Sequence, residues 1–326
     1  MTLTNSMMKA AVGTAEGLVY RDVPRPSPKK NEVLVRARAA SLNRADLNRG
    51  APQGDAIVIP GLDFAGEIVE VGGEVSGFKV GQRVLCSAGN NGAYAEFVAT
   101  DWGRVLPLPD SMSFEEAATL PVALITMHNA IATAGRLKRG ETVMIQGAST
   151  GVGLLGMQIA KLLGAGVVIG TSTNAERRAR LTEFGADVAI DTTSSDWPEQ
   201  VRKATGGKGV DLIVDQVSGP YVNQCLDAAA LLGRIVNVGR LGGASGEFDF
   251  NLHALKRIDY IGVTFRTRTL DEVREISRRM KEDLWEAVTA GKLRLPRDKT
   301  FPLSEADAAQ RHMRGNNHFG KIILTM

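Results

Sequence analysis

The chain has 326 residues, 44% hydrophobic and 23% charged, with a net charge of only +3. That length sets two domains with ample core as the starting expectation, and the dispersed basic residues argue against nucleic acid or a membrane surface as a partner. Cys86 and Cys225 lie far apart without C-x-x-C spacing, so neither a disulfide framework nor a structural zinc is expected, and the setting reads as reducing and cytoplasmic.

Residues 1–6 lack a basic start followed by an apolar run, so a frayed tail is expected there rather than a signal peptide. Through about residue 110, short β-type runs at 33–38, 57–59, 65–71, 83–86 and 94–99 are separated by turn signals such as Gly72-Gly73 and Gly89-Asn90-Asn91-Gly92. This spacing predicts a compact, partly barrel-like β domain. Ser113 followed by Phe-Glu-Glu offers an N-cap with an acidic first turn, so a helix should begin there. The apolar stretch 117–134 is interrupted by Pro121, His128 and Asn129 and reads as too polar for a membrane span. From about 124 to 263, β-type runs at 142–145, 167–171, 188–190, 212–215 and 234–238 alternate with helical segments, the pattern of a doubly wound parallel sheet. A charged helix is expected over 270–289. The final apolar strand, 321–324, needs a sheet to join, and the β-rich first part is its natural host.

The run 142–145 lies between Gly140 and Gly147, and Leu154, Leu155, Gln158, Ile159 and Leu162 then fall at helical spacing. Between them, Gly151, Gly153 and Gly156 satisfy G-x-G-x-x-G. In this reading the first glycine permits the tight turn, the second lets backbone approach a dinucleotide pyrophosphate, and the third allows close packing of helix on strand. Ser149, Thr150, Gly151, Val152 and Gly153 are expected to cradle the pyrophosphate at the free amides of the helix start. A dinucleotide-dependent enzyme is therefore the leading expectation.

For NAD, an Asp or Glu about 20 residues past the fingerprint would bond the ribose hydroxyls. Here the next strand ends in Gly170, Thr171, Ser172 and Thr173, without an acid. Arg177 and Arg178 follow, and a guanidinium beside small hydroxyls suits a 2′-phosphate. The alternative is that Arg177, Arg178 and Arg180 form a solvated helix face. NADPH is expected as cofactor, with Thr171, Ser172 and Arg177 at its adenosine end. Val217 and Gly239 lie just past later strands, where doubly wound sheets bind ligands.

Several ordered segments accompany the fingerprint: SLNRADL from Ser41, PGLDFAGEIVEVG from Pro60, GAYAEFV from Gly92, VDLIVDQVSG from Val210, GRIVNVG from Gly233 and FGKIIL from Phe319. On these, over nearly its whole length, the chain resembles the zinc-independent quinone oxidoreductases of the medium-chain dehydrogenase/reductase superfamily. The resemblance implies an α/β fold, a Rossmann doubly wound parallel sheet plus a GroES-like β-rich catalytic domain. Residues 1–123 and 264–326 would form the catalytic domain and 124–263 the nucleotide-binding domain, with the active site in the cleft between them. It also implies a homodimer paired through the nucleotide-domain sheet edge. Phe248, Phe250 and Tyr260 would lie there, unless they belong to the core.

Zinc alcohol dehydrogenases of the same superfamily place Cys at the position of Asn43, and Gly-His-Glu where this chain has Gly61, Leu62 and Asp63. They also carry a four-cysteine lobe that this chain lacks. Catalytic zinc needs three protein ligands around an open site, which Asn43, Leu62 and Asp63 cannot supply, so no metal is expected. The implied reaction is hydride transfer to a quinone; the alternative acceptor is an α,β-unsaturated carbonyl of the enoyl or enone type. A remote third reading, a non-catalytic NADPH-binding structural or RNA-binding protein, is disfavoured by the near-neutral charge and the absence of a basic aromatic stripe.

By resemblance, Asn43 lies beside the nicotinamide ribose and the substrate, as the catalytic position, with Asn48 also in the substrate pocket. Asp46 would orient that loop. Thr126 would sit near the nicotinamide carboxamide, or bond its own helix backbone. Phe265 and Arg266 would pass the nicotinamide through backbone groups, although Arg266 and Arg268 could instead face solvent. Tyr94 reads as a structural strand residue and His128 as a helix-surface or interface residue. Two departures from relatives stand out: no tyrosine follows Asn43 in NRADLNRG, and Thr192 stands where some relatives place a tyrosine. No side chain reads as a general acid, which leaves water to supply the proton.

Overall fold

A computed structural model describes residues 6–48, 56–89 and 92–326, with the side chain of Asn48 outside the description. Asn90 and Asn91 of the expected glycine-asparagine turn also lie outside the described residues. The chain divides into two compact units, one formed by Met1–Val122, Thr269–Arg279 and Arg294–Met326, the other by Ala123–Arg268 and Met280–Leu293. Residues 280–293, grouped above with the catalytic domain, pack within the second unit.

The first unit opens with an antiparallel ribbon, β1 (Met7–Gly13) and β2 (Leu18–Pro24), and continues through β3 (Glu32–Ser41), β4 (Asp63–Val71), β5 (Arg83–Ser87), β6 (Phe97–Asp101) and β7 (Val105–Pro107). β3 is the central strand, with Val33, Leu34, Val35, Ala37, Ala39 and Ala40 all buried. The expected run 57–59 forms no strand. It is a connection whose neighbouring carbonyls, Val58 O and Pro60 O, accept from Gly13 N and Tyr94 N.

Helix α1 (Phe114–Ala118) begins where expected and carries a complete capping box: Ser113 Oγ accepts from Glu116 N, and Glu116 Oε2 accepts from Ser113 N at 3.0 Å. α2 (Pro121–His128) follows and runs into a π turn, Asn129–Ala134. Contrary to the sequence reading, the segment Phe114–Ala134 is long and apolar enough to cross a bilayer, because three interruptions are outweighed by its alanine, leucine and isoleucine content. Its most apolar window is nevertheless 72% buried inside the protein, as for a core helix. His128 is likewise buried rather than on a helix surface, and its Nε2 meets Asp283 Oδ2 at 2.7 Å.

The second unit alternates strands and helices: β8 (Thr142–Gln146), α3 (Gly151–Leu162), β9 (Val167–Thr171), α4 (Ala175–Ala179), β10 (Val188–Ile190), α5 (Trp197–Ala204), β11 (Val210–Asp215), α6 (Val222–Ala228), β12 (Ala229–Asn237), α7 (Phe250–Lys256) and β13 (Asp259–Gly262). All six strands are parallel, in the order β10-β9-β8-β11-β12-β13. The order reverses between β8 and β11, the switch point where such sheets hold ligands at their carboxyl ends. In register across that end lie Gln146, Asp215 and Asn237, the last residues of β8, β11 and β12.

α8 (Leu270–Thr289) covers the expected helix, and β14 (Arg297–Pro302), α9 (Ala306–Arg314) and β15 (Lys321–Thr325) return to the first unit. β15 runs parallel to β14 and antiparallel to β3, with Ile323 opposite Ser41 and Leu324 opposite Ala40. The resulting seven-stranded sheet has the order β14-β15-β3-β4-β5-β7, with β6 on β3. The closing strand thus joins the β-rich unit, where Ile322 and Leu324 bury against a core that includes Phe64, Ile68 and Tyr94.

Candidate functional site

In the second unit, the turn after β8 owes its shape to Gly147, whose φ of +72° lies in the left-handed region. This corrects the role given to Gly151, which is the first residue of α3 rather than the pivot of the turn. Gly147 N donates to Thr171 Oγ1 at 3.1 Å and Ala148 N to Thr171 O at 2.8 Å, so β9 fixes the turn from its far side. Thr150 caps α3 by accepting from Gly153 N at 2.9 Å, and its hydroxyl donates to Gln216 Oε1 at 3.0 Å. The cap uses the Gly153 amide, leaving those of Gly151 and Val152 as helix-start donors for an anion.

Gly153 and Gly156 each have a steric reason to be glycine, and for Gly156 it differs from expectation. A Cβ on Gly153 would lie 2.7 Å from Ala148 Cα and 2.8 Å from the Gly147 and Ala148 carbonyl oxygens, so this glycine lets the helix approach its own turn. A Cβ on Gly156 would meet Met127 Sδ at 2.9 Å, which places its close packing against α2 rather than a strand. A turn that admits no Cβ at Gly153, with two amide donors at a helix start, fits a dinucleotide pyrophosphate.

At the end of β9, Ser172 Oγ donates to Ser149 Oγ at 3.0 Å. Arg178 is committed to the protein: Nη1 donates to Ser172 O at 2.9 Å and pairs with Asp191 at 3.0 Å. Hydrogen bonds from Thr193 hold the Asp191 carboxyl below its usual range, which keeps it ionised against that arginine. Arg180 pairs with Glu183 at 3.3 Å, and Arg177 is half-buried on the first turn of α4, where Asn174 caps its amide. Among the three arginines, Arg178 is thereby spent on structure.

Beyond β11, both backbone groups of Val217 are used internally: its amide donates to Asp215 Oδ1 at 2.8 Å and its carbonyl accepts from Gly242 N at 2.7 Å. Gly239 donates to Asp215 O at 3.2 Å and accepts from Ser218 Oγ at 2.9 Å. Ser218 has φ +57° and ψ −148°, a region that favours glycine. Asp215 holds it there through Ser218 N at 2.9 Å, and Asn237 donates to its hydroxyl. Thr126 is half-buried on α2, Phe265 is half-buried in the turn after β13, and Arg266 is exposed with its amide on Thr264 Oγ1.

In the first unit, the segment after β3 places Asn43 in a buried polar cluster. Asn43 Nδ2 donates to Asp63 Oδ2 at 2.8 Å, and Lys321 Nζ donates to both Asn43 Oδ1 and Asp63 Oδ2 at 2.8 Å. Asp63 Oδ1 accepts from Val122 N at 2.7 Å. Asn48 ends the short helical turn Arg44–Asn48, its side chain outside the described residues. Among the described residues, no group of three or more His, Cys, Asp or Glu gathers to hold a metal.

Asp46 Oδ2 accepts from Asn43 N at 2.8 Å and from Tyr94 OH at 2.9 Å. Tyr94 therefore serves the Asn43 segment through its hydroxyl and lies in a bend ahead of β6, not in a strand. Burial pushes the Asp46 carboxyl up to about 7 against those two hydrogen bonds. Because this folded value lies above the ordinary 3.8, Asp46 carries no ionisation penalty below pH 3.8, a growing one between 3.8 and 7, and the full one above. Asp46→Asn preserves an acceptor for both donors, so the variant should be the more stable at pH 8, by on the order of 2–4 kcal/mol, and nearly equal to wild type at pH 4. Urea unfolding at both pH values checks this. An equal difference at the two would refute the ionisation argument.

Lys321, Gln216 and Ser218 were missed by sequence reasoning. A lysine heading an otherwise apolar strand, KIIL, was the available signal for the first. The other two stand on either side of Val217, with no motif of their own to mark them.

A family model described as "Zinc-binding dehydrogenase" matches residues 151–282, and one described as "Alcohol dehydrogenase GroES-like domain" matches 29–110. The chain is similar to a quinone oxidoreductase of Pseudomonas aeruginosa, 32% identical over 320 residues, which cover 97% of each chain. It is 30% identical to a phenolphthiocerol/phthiocerol polyketide synthase of Mycobacterium tuberculosis, matching with 96% of its own length but spanning only 14% of that protein. Among solved structures, mycobacterial Rv1454c complexed with NADPH superposes with a TM-score of 0.86 at 26% identity, covering 98% of this chain and 100% of the other. The CurK enoyl reductase gives 0.82 at 27%, covering 98% and 99%.

Proposed function

Because the chain belongs to the quinone oxidoreductase-like family of the medium-chain dehydrogenase/reductase superfamily, we propose that it reduces a quinone or related electron-poor carbonyl with NADPH and without a metal. The observation that carries this reading is the buried Asn43 carboxamide, bonded at 2.8 Å to a lysine and a carboxylate at the position where zinc relatives ligate metal. Leu62 has no donor atom and Asp63 is engaged by the Lys321 ammonium, so this set fits an organic acceptor better than zinc. When bound, NADPH supplies the hydride. The chain's own contribution is to grip the phosphates with the Gly151 and Val152 amides, to favour the 2′-phosphate with Ser172 and Arg177, and to orient the acceptor at Asn43. Thr126, Phe265 and Arg266 complete the cofactor contacts in this reading, Val217 and Gly239 line the cofactor by shape because their backbone groups bond internally, and solvent water provides the proton.

NADPH consumption with 1,4-benzoquinone, 9,10-phenanthrenequinone and an aliphatic enone tests the proposal. Turnover of the enone alone would favour the second reading, enoyl or enone reduction, which the likeness to the CurK enoyl reductase supports. Binding of NADPH with no turnover would favour a non-catalytic role. Asn43→Ala should lower kcat/KM by roughly 10–100-fold, the loss of one or two well-placed polar contacts. Unchanged kinetics would remove Asn43 from the site.

A homodimer paired at β13 is part of the same proposal. Among the described strands β13 pairs only with β12, and in the preceding helix α7 Phe250 is 76% and Leu255 69% exposed. Phe250→Asp should shift the protein toward monomer in analytical ultracentrifugation. A wild-type monomer at micromolar concentration would sink the dimer. The two cysteines are free and buried, which accords with a cytoplasmic setting.

A further inference from the structure

A carboxamide can be turned over without changing its shape, so packing alone does not decide which end of Asn43 is oxygen. Charge decides it here. The Lys321 ammonium can only donate and an ionised Asp63 can only accept, and they contact Oδ1 and Nδ2 respectively, each at 2.8 Å. The reversed amide would set donor against donor and acceptor against acceptor. Lys321 and Asp63 are 3% and 0% exposed, so little water is at hand to relieve that mismatch. Nδ2 carries a second hydrogen, and no described residue accepts it.

Resting on the reductase reading above, we infer that Lys321 and Asp63 are positioning residues that lock Asn43 as a hydrogen-bond donor, so that the site recognises an acceptor oxygen on its ligand, of the carbonyl class. A fixed N–H aimed at such an oxygen strengthens as negative charge grows on it during reduction, without reorganising at that moment. An Asn43 free to flip would present its own oxygen part of the time and repel the same group.

Removing Lys321 alone would strand a buried charge, so the test uses the neutral pair Asp63→Asn with Lys321→Met. The side-chain amide protons of Asn43, assigned in ¹⁵N–¹H spectra by their absence in Asn43→Ala, should be protected from exchange in wild type. In the neutral pair that protection should fall at least ~10-fold. With 9,10-phenanthrenequinone, the neutral pair should lose about 10-fold in kcat/KM, the equivalent of one hydrogen bond. The same two changes made in Asn43→Ala should lose nothing further. Equal losses in both backgrounds, or an unchanged Asn43 amide, would overturn the inference, because a merely structural pair acts regardless of residue 43. A wild-type protein that turns over no acceptor would overturn the reductase reading instead, and amide exchange would still decide the lock.

Discussion

Lys321→Met should cost the protein about 3–5 kcal/mol of folding stability, the characteristic penalty for stranding one member of a buried ion pair. The Asp63 side chain is fully buried and the Lys321 side chain only 3% exposed, so solvent cannot replace the lost ammonium. Asp63 would keep Val122 N on one oxygen and Asn43 Nδ2 on the other, neither of which carries a charge. Combining the change with Asp63→Asn should recover most of the loss, because both charges then leave together. Urea unfolding of the single and double variants checks this. A single variant within about 1 kcal/mol of wild type would mean that the pair is worth no more than an exposed one.

Gly153→Ala should weaken NADPH binding on the order of 100-fold, equivalent to about 3 kcal/mol. The added methyl would lie 2.7–2.8 Å from three backbone atoms of Gly147 and Ala148, and backbone has no rotamer by which to yield. The turn must then move, and with it the helix-start amides proposed to hold the phosphates. Gly156→Ala is the matched control. Its methyl meets the flexible end of Met127 at 2.9 Å, so a rotamer change can absorb it and binding should change less than about threefold. Fluorescence titration of NADPH would check both variants. Similar losses in the two would place the effect in the helix rather than in the turn.

The inner strands of the second unit were legible because each is an apolar, largely β-branched run closed by a turn signal. β13 was not, because Asp259–Gly262 is an exposed edge with no buried side chain to mark it. The glycine-rich turn is legible from its G-x-G-x-x-G spacing, yet the positive-φ residue, Gly147, precedes that match and carries no signal of its own. The expectation that puts Arg177 rather than Arg178 at the adenosine end rests on no local signal that separates the two. What distinguishes Arg178 is its ion pair with Asp191, on the far side of β10 in sequence. Asn43 could be singled out by resemblance alone, but the lysine that orients it is 278 residues distant, and no window of sequence relates the two.

That separation also bears on how the protein is made. Ribosomes add about 5–20 residues per second, so Asn43 and Asp63 exist for roughly 15–60 seconds before the ammonium that neutralises Asp63 is synthesised. Throughout that interval β3 can have β4 on one side of Ala39–Ser41 but nothing yet on the other, the side that β15 later covers, and before the interval ends all six strands of the second unit have been made. The nascent chain should therefore acquire its nucleotide-binding unit first. The Asn43 end must wait, with an uncompensated carboxylate and an open strand edge, for the last strand to arrive.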